Sequence, residues 1–234
     1  MLSAMESGTL HIVATPIGNL EDVTLRALRI LAEVDVIFCE DTRVTRRLLD
    51  RNTIHTPLKS LNARTESTKI DEVLTHLRNG ENVAYVSDAG TPAISDPGTA
   101  VVSRAREEGF SVVTIPGASA VTAALSIVGL PSDQFTFLGF LPHKKGRQTL
   151  LKEIAGSPAG GTRTVVLYES THRILKLLNE LEEHLPKGRT VCIARELTKI
   201  FEEVQCGTPA ELRTLLSEHP EKQKGEFVVI IASR

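Results

Sequence analysis

The first half of the chain alternates between two hydrophobic patterns. Short apolar runs rich in β-branched residues predict strands at 10–14, 36–39, near Leu58, at 83–86 and at 111–115. Apolar residues three or four positions apart predict helices between them, on stripes such as Leu25, Leu28, Leu31 and Val34, or Ile70, Val73, Leu74 and Leu77. Strands that alternate with helices in this way predict a largely parallel sheet with helices on both faces.

The pattern changes after residue 130. Strands are predicted at 135–140, 164–168, 191–194, 201–206 and 227–231, with a surface loop at 156–161. Helices are predicted at 148–154, on the stripe from Ile174 to Leu185, and after the capping box that Thr208 and Glu211 form. We therefore expect two α/β domains, residues 1–117 and 118–234.

Composition excludes several classes of protein. Of 234 residues, 41% are hydrophobic and 24% are charged, which is typical of a folded globular protein and excludes a disordered one. The formal charge of −2 gives no general attraction to nucleic acid. Trp is absent and aromatic residues make up only 4%, which argues against an aromatic platform for single strands.

The cysteines and histidines predict neither a disulfide nor a metal site. Cys39, Cys192 and Cys206 are odd in number and lack C-x-x-C spacing, and no histidine pair has zinc-binding spacing. Free cysteines indicate a reducing compartment. Because the apolar runs are also shorter than the roughly 18 residues that a membrane span needs, we expect a cytoplasmic protein.

Loops of small residues follow three of the predicted strands. They lie at 15–19, 87–98 and 116–119, whereas neither G-x-G-x-x-G nor a P-loop occurs. Parallel sheets bind ligands at the carboxyl ends of their strands, where glycine lets the backbone approach a ligand closely. A single such loop would more simply be a turn, but three at one edge predict a binding site.

Charged side chains gather at other strand ends. Candidates for substrate contact are Glu40, Asp41 and Arg43, then Glu169, His172 and Arg173, and finally Glu196 and Lys199. Asp41 alone is more simply a helix cap. Two basic patches, Arg43, Arg46 and Arg47, and His143, Lys144, Lys145 and Arg147, are either solvated faces or phosphate contacts.

Eight blocks in order carry a resemblance to a known family. They are VATPIGNLEDVTLRAL, CEDTRVTRRLL, VSDAGTPAISDPG, IPGASAVTAAL, FLGFLP, YESTHR, ARELTKIFEE and KGEFVV. The chain resembles the ribosomal RNA small-subunit methyltransferase I family, a branch of the tetrapyrrole methylase superfamily. The resemblance implies two α/β domains with the cofactor site in the interdomain cleft. It also implies a homodimeric cytoplasmic enzyme that uses S-adenosylmethionine to methylate a cytidine 2′-oxygen in the decoding region of 16S rRNA, with neither metal nor membrane.

The resemblance also implies which residues bind the cofactor. From the first domain they are Pro16, Gly18, Asp88, Ala89, Gly90, Thr91, Ile94 and Ser119. From the second domain they are Tyr168, Ala194, Gly225 and Glu226.

Methyl transfer to a hydroxyl needs a proton acceptor and a stabiliser of the developing negative charge. Our hypothesis is that Lys199 or Arg43 stabilises the alkoxide and that Glu40 or Glu169 receives the proton. The expected RNA contacts are Arg43, Arg46, Arg47, His143, Lys144, Lys145, Arg147 and Arg173. The alternatives are a sister methyltransferase that acts on a tetrapyrrole or a modified protein, and a non-catalytic RNA- or ribosome-binding module.

Overall fold

A computed structural model describes residues 7–61, 66–156 and 163–233 of the chain. The predicted surface loop at 156–161 lies almost wholly outside these ranges. The chain divides into two compact units, Met1–Ser119 and Ala120–Arg234.

The first unit contains a five-stranded parallel sheet. Its elements are β1 (Thr9–Val13), α1 (Leu25–Glu33), β2 (Val36–Cys39), α2 (Thr42–Arg51), β3 (Leu58–Ser60), α3 (Glu66–Arg78), β4 (Val83–Val86), α4 (Thr99–Glu107) and β5 (Ser111–Ile115). The strand order is β3-β2-β4-β1-β5, and every pair is parallel. The predicted parallel sheet is confirmed.

Both faces of this sheet are covered, as the apolar strands predict. In β4, Ala84 and Val86 pack in a core with α1 and α2, whereas Val83 and Tyr85 pack in a second core with α3 and α4. All four residues are buried. A strand buried on both faces needs an unbroken apolar run, which is why β4 shows no alternation of polar and apolar residues.

One predicted core position in α1 is wrong. Leu25 is 87% exposed, whereas Ala27, Ile30 and Leu31 are buried. Thr24 caps the helix by accepting the N–H of Ala27, so Leu25 is its first residue. At 100° per residue, Leu25 lies about 200° round the helix from Ala27 and therefore faces solvent.

The second unit contains a mixed five-stranded sheet. Its elements are α5 (Ala120–Ile127), β6 (Phe135–Phe140), α6 (Arg147–Gly156), β7 (Thr164–Ser170), α7 (Ile174–His184), β8 (Val191–Arg195), β9 (Glu203–Gly207), α8 (Pro209–Glu218) and β10 (Glu226–Ile231). The order is β6-β7-β10-β8-β9, with only β6 and β7 parallel. Helices α6, α7 and α8 share one core with one face of this sheet.

The prediction that the chain has no disulfide is wrong in the structure. Cys192 in β8 and Cys206 in β9 are joined by a disulfide. They are directly opposite partners in an antiparallel pair, and their Cα atoms lie 4.1 Å apart. The strand register creates this proximity, and the spacing of 14 residues in the sequence does not reveal it. Cys39 is buried and free.

Gly98 is expected to be essential for the loop between β4 and α4. Its φ is +118°, and a Cβ atom there would lie 2.3 Å from Cε1 of the buried Tyr85. Gly109 is a matched control, since its φ is +81° but nothing lies within 4 Å of its Cβ position. Gly109→Ala should lower the free energy of unfolding by about 1–2 kcal/mol through backbone strain alone.

Gly98→Ala should lower the free energy of unfolding further, because the added methyl group collides with the Tyr85 ring in a packed core. Urea denaturation of both variants measures the difference. Equal losses would show that the collision has no energetic effect.

Candidate functional site

The loop 87–98 connects the carboxyl ends of neighbouring strands in the first unit. Thr15, which follows β1, exchanges two backbone hydrogen bonds with Gly90, at 2.9 and 3.0 Å. The Thr15 hydroxyl also donates to the carbonyl of Ser87 at 3.1 Å. The loops after β1 and β4 are therefore one hydrogen-bonded unit at the middle of the sheet.

Two further strand ends are attached to this loop. The Asp41 N–H, just after β2, donates to Oδ1 of Asp88 at 2.9 Å. The Thr91 hydroxyl donates to the carbonyl of Ala118, after β5, at 3.2 Å. The structure thus brings together the three small-residue loops that the sequence predicts at one edge of the sheet, and adds the end of β2.

The backbone of the loop is strained. Ala93 and Ser95 adopt φ values of +66° and +61°, which side chains with a Cβ atom seldom tolerate. Gly90 and Gly98 have positive φ as well. Strained residues of this kind persist where the surrounding bonds overdetermine the backbone, and they concentrate at ligand sites.

Acidic side chains give this region a negative field. Burial raises the pKa of Asp96 to about 6, and repulsion from the carboxylates of Glu40 and Asp88 adds to the shift. Burial also raises the pKa of Glu40 and of Asp88. Among the described residues, no group of three or more His, Cys, Asp or Glu is arranged to hold a metal ion. The local charge suits an organic cation.

Asp41 is the N-terminal cap of α2, the simpler of the roles predicted for it. Its Oδ1 accepts the N–H of Arg43 at 2.8 Å at the start of α2. Hydrogen bonds from Arg43 lower the pKa of Asp41 to about 2. The Arg43 guanidinium pairs with Asp41 yet is 86% exposed, and Arg46 and Arg47 are exposed on the same helix.

The remaining predicted cofactor residues of the first unit differ in exposure. Pro16 is buried, Ser119 is half-buried, Gly18 and Ala89 are exposed, and Ile94 is 46% exposed. An exposed isoleucine in a loop otherwise fixed by hydrogen bonds is available for an apolar contact with a ligand.

In the second unit, three predicted site residues, Arg147, Glu169 and Arg173, lie in a largely buried ion-pair network. The Arg147 guanidinium is 3% exposed and donates to Glu180 Oε2 from Nε at 2.9 Å and from Nη2 at 2.7 Å. The Glu169 side chain is fully buried, and its Oε1 lies 3.2 Å from Arg173 Nε. Burial raises the pKa of Glu169 against the opposing effects of the Ser170 N–H, Arg173 and Arg147.

This network corrects two expectations. Arg147 is not an RNA contact, because its guanidinium is enclosed and bonded to Glu180. Glu169 is not exposed to a substrate hydroxyl, so its role as proton acceptor is withdrawn. The Arg173 side chain is 16% exposed, forms an ion pair with Glu169 and donates a hydrogen bond to the Leu141 carbonyl. By contrast, His143, Lys144 and Lys145 are exposed in the turn after β6.

Lys199 lies between two carboxylates. Its Nζ is 2.9 Å from Glu196 Oε1 and 2.7 Å from Glu226 Oε2. Burial by itself would lower the pKa of Lys199, but the hydrogen bonds to Glu226 and Glu196 outweigh it and raise that pKa. Lys199 therefore stays protonated and can act as a fixed positive charge, but not as a base.

Glu196, one of the two carboxylates that bind Lys199, packs against the backbone of Gly225. A Cβ atom at Gly225 would lie 2.6 Å from Cγ of Glu196, and the φ of Gly225 is +118°. The Glu226 N–H donates to Glu196 Oε1, and the Gly225 N–H donates to the Thr171 hydroxyl. The predicted residues Gly225 and Glu226 thus share one bonded cluster with Lys199.

Tyr168 and Ala194, which are also predicted to bind the cofactor, lie on the two strands that flank β10. Both pair with Val228, Tyr168 from β7 and Ala194 from β8. Ala194 is buried and Tyr168 is half-buried. The two residues therefore lie at the same level of the sheet, one on each side of Val228 in β10.

The site prediction does not include Asp96 or Phe140, whose surroundings in the structure are unusual for their residue types. Both lie within the sequence blocks that carry the family resemblance. From the sequence alone, however, an Asp in a Gly/Pro loop is an ordinary turn residue and a Phe at the end of a strand is an ordinary core residue. Only burial among carboxylates marks Asp96, and only exposure marks Phe140, which is 51% exposed.

Curated relatives match almost the whole chain. The ribosomal RNA small subunit methyltransferase I of Xylella fastidiosa (strain Temecula1) is 50% identical over 96% of this chain and 81% of its own length. The protein of the same name from Escherichia coli O157:H7 is 47% identical over 96% of this chain and 77% of its own length.

Solved structures share the fold at lower identity. The methyltransferase CobJ has a TM-score of 0.71 at 21% identity, covering 97% of this chain and 95% of that one. Thermus thermophilus uroporphyrin-III C-methyltransferase, complexed with S-adenyl homocysteine, has a TM-score of 0.65 at 18% identity, covering 96% and 97%. The family of tetrapyrrole (corrin/porphyrin) methylases matches residues 9–213. The chain therefore belongs to the tetrapyrrole methylase family and, within it, to the ribosomal RNA small subunit methyltransferases I.

Proposed function

We propose that this protein transfers a methyl group from S-adenosylmethionine to a ribose 2′-oxygen of small-subunit ribosomal RNA. The observation that carries the proposal is 50% identity over 96% of the chain to a ribosomal RNA small subunit methyltransferase I. The cytidine in the decoding region of 16S rRNA is the target that the family resemblance implies. The family resemblance also implies that the protein acts in the cytoplasm as a homodimer.

The residues of the first unit fit S-adenosylmethionine. When bound, this cofactor supplies a methyl group on a positively charged sulfonium. The carboxylates of Glu40, Asp88 and Asp96 repel one another, and a positive charge beside them would relieve that repulsion. Gly90 presents backbone without a side chain, and a Cβ atom there would already lie 3.3 Å from Ile17. The contacts proposed by resemblance in the second unit are Tyr168, Ala194, Gly225 and Glu226.

Glu40 is the carboxylate proposed to receive the proton of the ribose hydroxyl. It is half-buried, and its pKa is raised by burial and by the neighbouring Asp88 and Asp41. A raised pKa makes a carboxylate a better proton acceptor near neutral pH. Because Glu169 is buried and paired with Arg173, Glu40 is the candidate that remains.

Lys199 is proposed to stabilise the developing alkoxide. Fixed charges stabilise a transition state more than mobile ones, because they need no reorganisation during the reaction. Lys199 is held by two carboxylates and is 28% exposed, whereas Arg43 is 86% exposed. The cations proposed to contact RNA phosphates are Arg43, Arg46, Arg47, His143, Lys144 and Lys145, which are exposed, and Arg173, whose side chain is 16% exposed and lies 3.4 Å from His143.

Methylation of isolated subunits tests the proposed function. The protein and labelled S-adenosylmethionine are incubated with small ribosomal subunits that lack the modification, and ribose methylation is mapped along the RNA. A single modified cytidine in the decoding region is expected. Methyl transfer to a tetrapyrrole precursor and none to subunits would support a sister activity. No cofactor binding in calorimetry would favour a non-catalytic module.

Asp96→Asn is expected to stabilise the protein at pH 8. The folded pKa of about 6 lies above the ordinary value of 3.8, so folding disfavours the charged form. Stability therefore falls as pH rises between about 4 and about 6, and the penalty is complete above that range. The variant should melt at a higher temperature than wild type at pH 8, and the difference should vanish at pH 4.

The same variant should bind S-adenosylmethionine more weakly in calorimetry at pH 8, because it lacks one negative charge beside the cation. Asp50→Asn, on the exposed side of α2, is the control and should alter neither property. Equal melting temperatures of wild type and Asp96→Asn at pH 8 would contradict the assigned burial cost.

Lys199→Met should lower kcat by about 10²–10³-fold, the usual effect of removing one fixed stabilising group. Lys199→Arg retains the positive charge and should lose less. Both are measured by single-turnover methyl transfer at saturating cofactor. A large loss in Arg43→Met with a normal rate in Lys199→Met would assign the role to Arg43.

A further inference from the structure

Three of the few aromatic side chains lie together on one face of the second sheet. The chain has seven Phe, two Tyr and no Trp. The ring of Tyr168 contacts Phe137 edge-on at 4.9 Å and Phe140 edge-on at 5.5 Å between ring centres. The low aromatic content of the whole chain therefore hides a local aromatic cluster.

A bulge turns Phe140 onto this face. Leu138 and Leu141 both pack with the core on the helix-covered face of the sheet, so the alternation of side chains breaks between them. The pairing of β6 with β7 shifts register between Phe137 and Phe140, and Gly139 has a φ of +62°. Bulges re-aim side chains in this way. As a result Phe140 joins Phe137 and Tyr168, and it is 51% exposed.

The exposed charge that follows Phe140 is positive. His143, Lys144 and Lys145 are exposed in the turn after β6, and no acidic residue occurs between 141 and 152. His143 Nε2 lies 3.4 Å from Arg173 Nη1. The acid of this region, Glu169, is buried and paired with Arg173, so it does not offset the lysines at the surface.

Phe140 is followed in the chain by exposed cations that form no ion pair within the described residues. An exposed aromatic ring with cations nearby in the chain is suited to an unpaired nucleotide, whose base stacks while its phosphates bind the cations. A duplex offers no free base face. The exposed Phe201 lines a groove of about 620 Å³ that carries both signs of charge, with Arg195, Lys222 and Lys224 beside Glu196, Glu202, Glu203 and Glu221. Because the carboxylates in that groove outnumber the cations, it is less suited to phosphate than the turn after β6.

We propose that Phe140 is a stacking platform for one unpaired base of the RNA substrate, supported edge-on by Tyr168, with adjacent phosphates bound by Lys144 and Lys145. The proposal rests on the proposed function and deepens it. It adds a residue that selects unpaired nucleotides over paired ones, a preference that positive charge alone cannot supply.

A single tryptophan tests the contact directly. Since the chain has no Trp, Phe140→Trp introduces one indole, whose fluorescence is quenched when a base stacks on it. The matched control is Phe135→Trp, at the other end of β6 and about 17 Å away along the strand, where the exposed fraction is 40%. The probe is a cytidine-containing single-stranded oligoribonucleotide, compared with its duplex.

Quenching of Phe140→Trp by the single strand, weaker quenching by the duplex, and no quenching of Phe135→Trp are expected. Equal quenching of the two variants, or none in Phe140→Trp, would overturn the proposal. Quenching at Phe140 in a protein that transfers no methyl group to small subunits would uphold this contact and refute the proposed function instead.

Steady-state methylation of small subunits gives a second measurement. Phe140→Leu keeps an apolar side chain against Tyr168 but loses the flat ring. Its KM for subunits should rise about 5- to 100-fold, with kcat and the dissociation constant of the cofactor unchanged, and Phe140→Tyr should restore the KM. An unchanged KM in Phe140→Leu, or a change in its oligomeric mass, would overturn the proposal, the latter in favour of a contact between subunits.

Discussion

The hydrogen bonding of the loop 87–98 is the constraint on which the first unit depends. At the end of a parallel strand the backbone N–H and C=O groups lose their partners in the sheet. The loop 87–98 supplies partners to the chain just after β1, because Gly90 exchanges two backbone hydrogen bonds with Thr15. Through Asp88 and Thr91 it also fixes the loops after β2 and β5. Four strand ends are thereby held in one arrangement, which is strained at Ala93 and Ser95. A site built in this way needs little ordering when a ligand binds, so less of the binding energy is lost.

Charged residues serve two purposes in this protein, and burial separates them. Arg147, Glu180 and Glu169 are enclosed, and removing one partner from such a group leaves an uncompensated buried charge, which costs about 3–5 kcal/mol. Lys144 and Lys145 are exposed in the same basic run and contribute little to stability. Neighbouring cations in the sequence therefore have unrelated roles, structural for Arg147 and available to a partner for the two lysines.

Averages over the chain conceal local features of its surface. The net charge of −2 is a sum over the whole chain. On the exposed side of α2 and in the turn after β6, exposed cations nevertheless outnumber exposed carboxylates. Similarly, 4% aromatic residues do not preclude Phe137, Phe140 and Tyr168 from meeting on one face. Weak overall attraction combined with local contacts favours a structured target over bulk RNA, since non-specific binding follows the number of phosphates neutralised.

The sequence by itself determined most of the secondary structure, the parallel sheet of the first unit and the positions of the small-residue loops, because apolar periodicity and glycine placement act over a few residues. It also carried the family, through blocks spread over the whole chain. Only the tertiary structure decided that Leu25 faces solvent, that Cys192 and Cys206 are bonded, that Arg147 and Glu169 are enclosed, and that Phe140 is exposed. Each of these depends on strand register, helix phase or pairing between distant residues, and local pattern does not encode such relations.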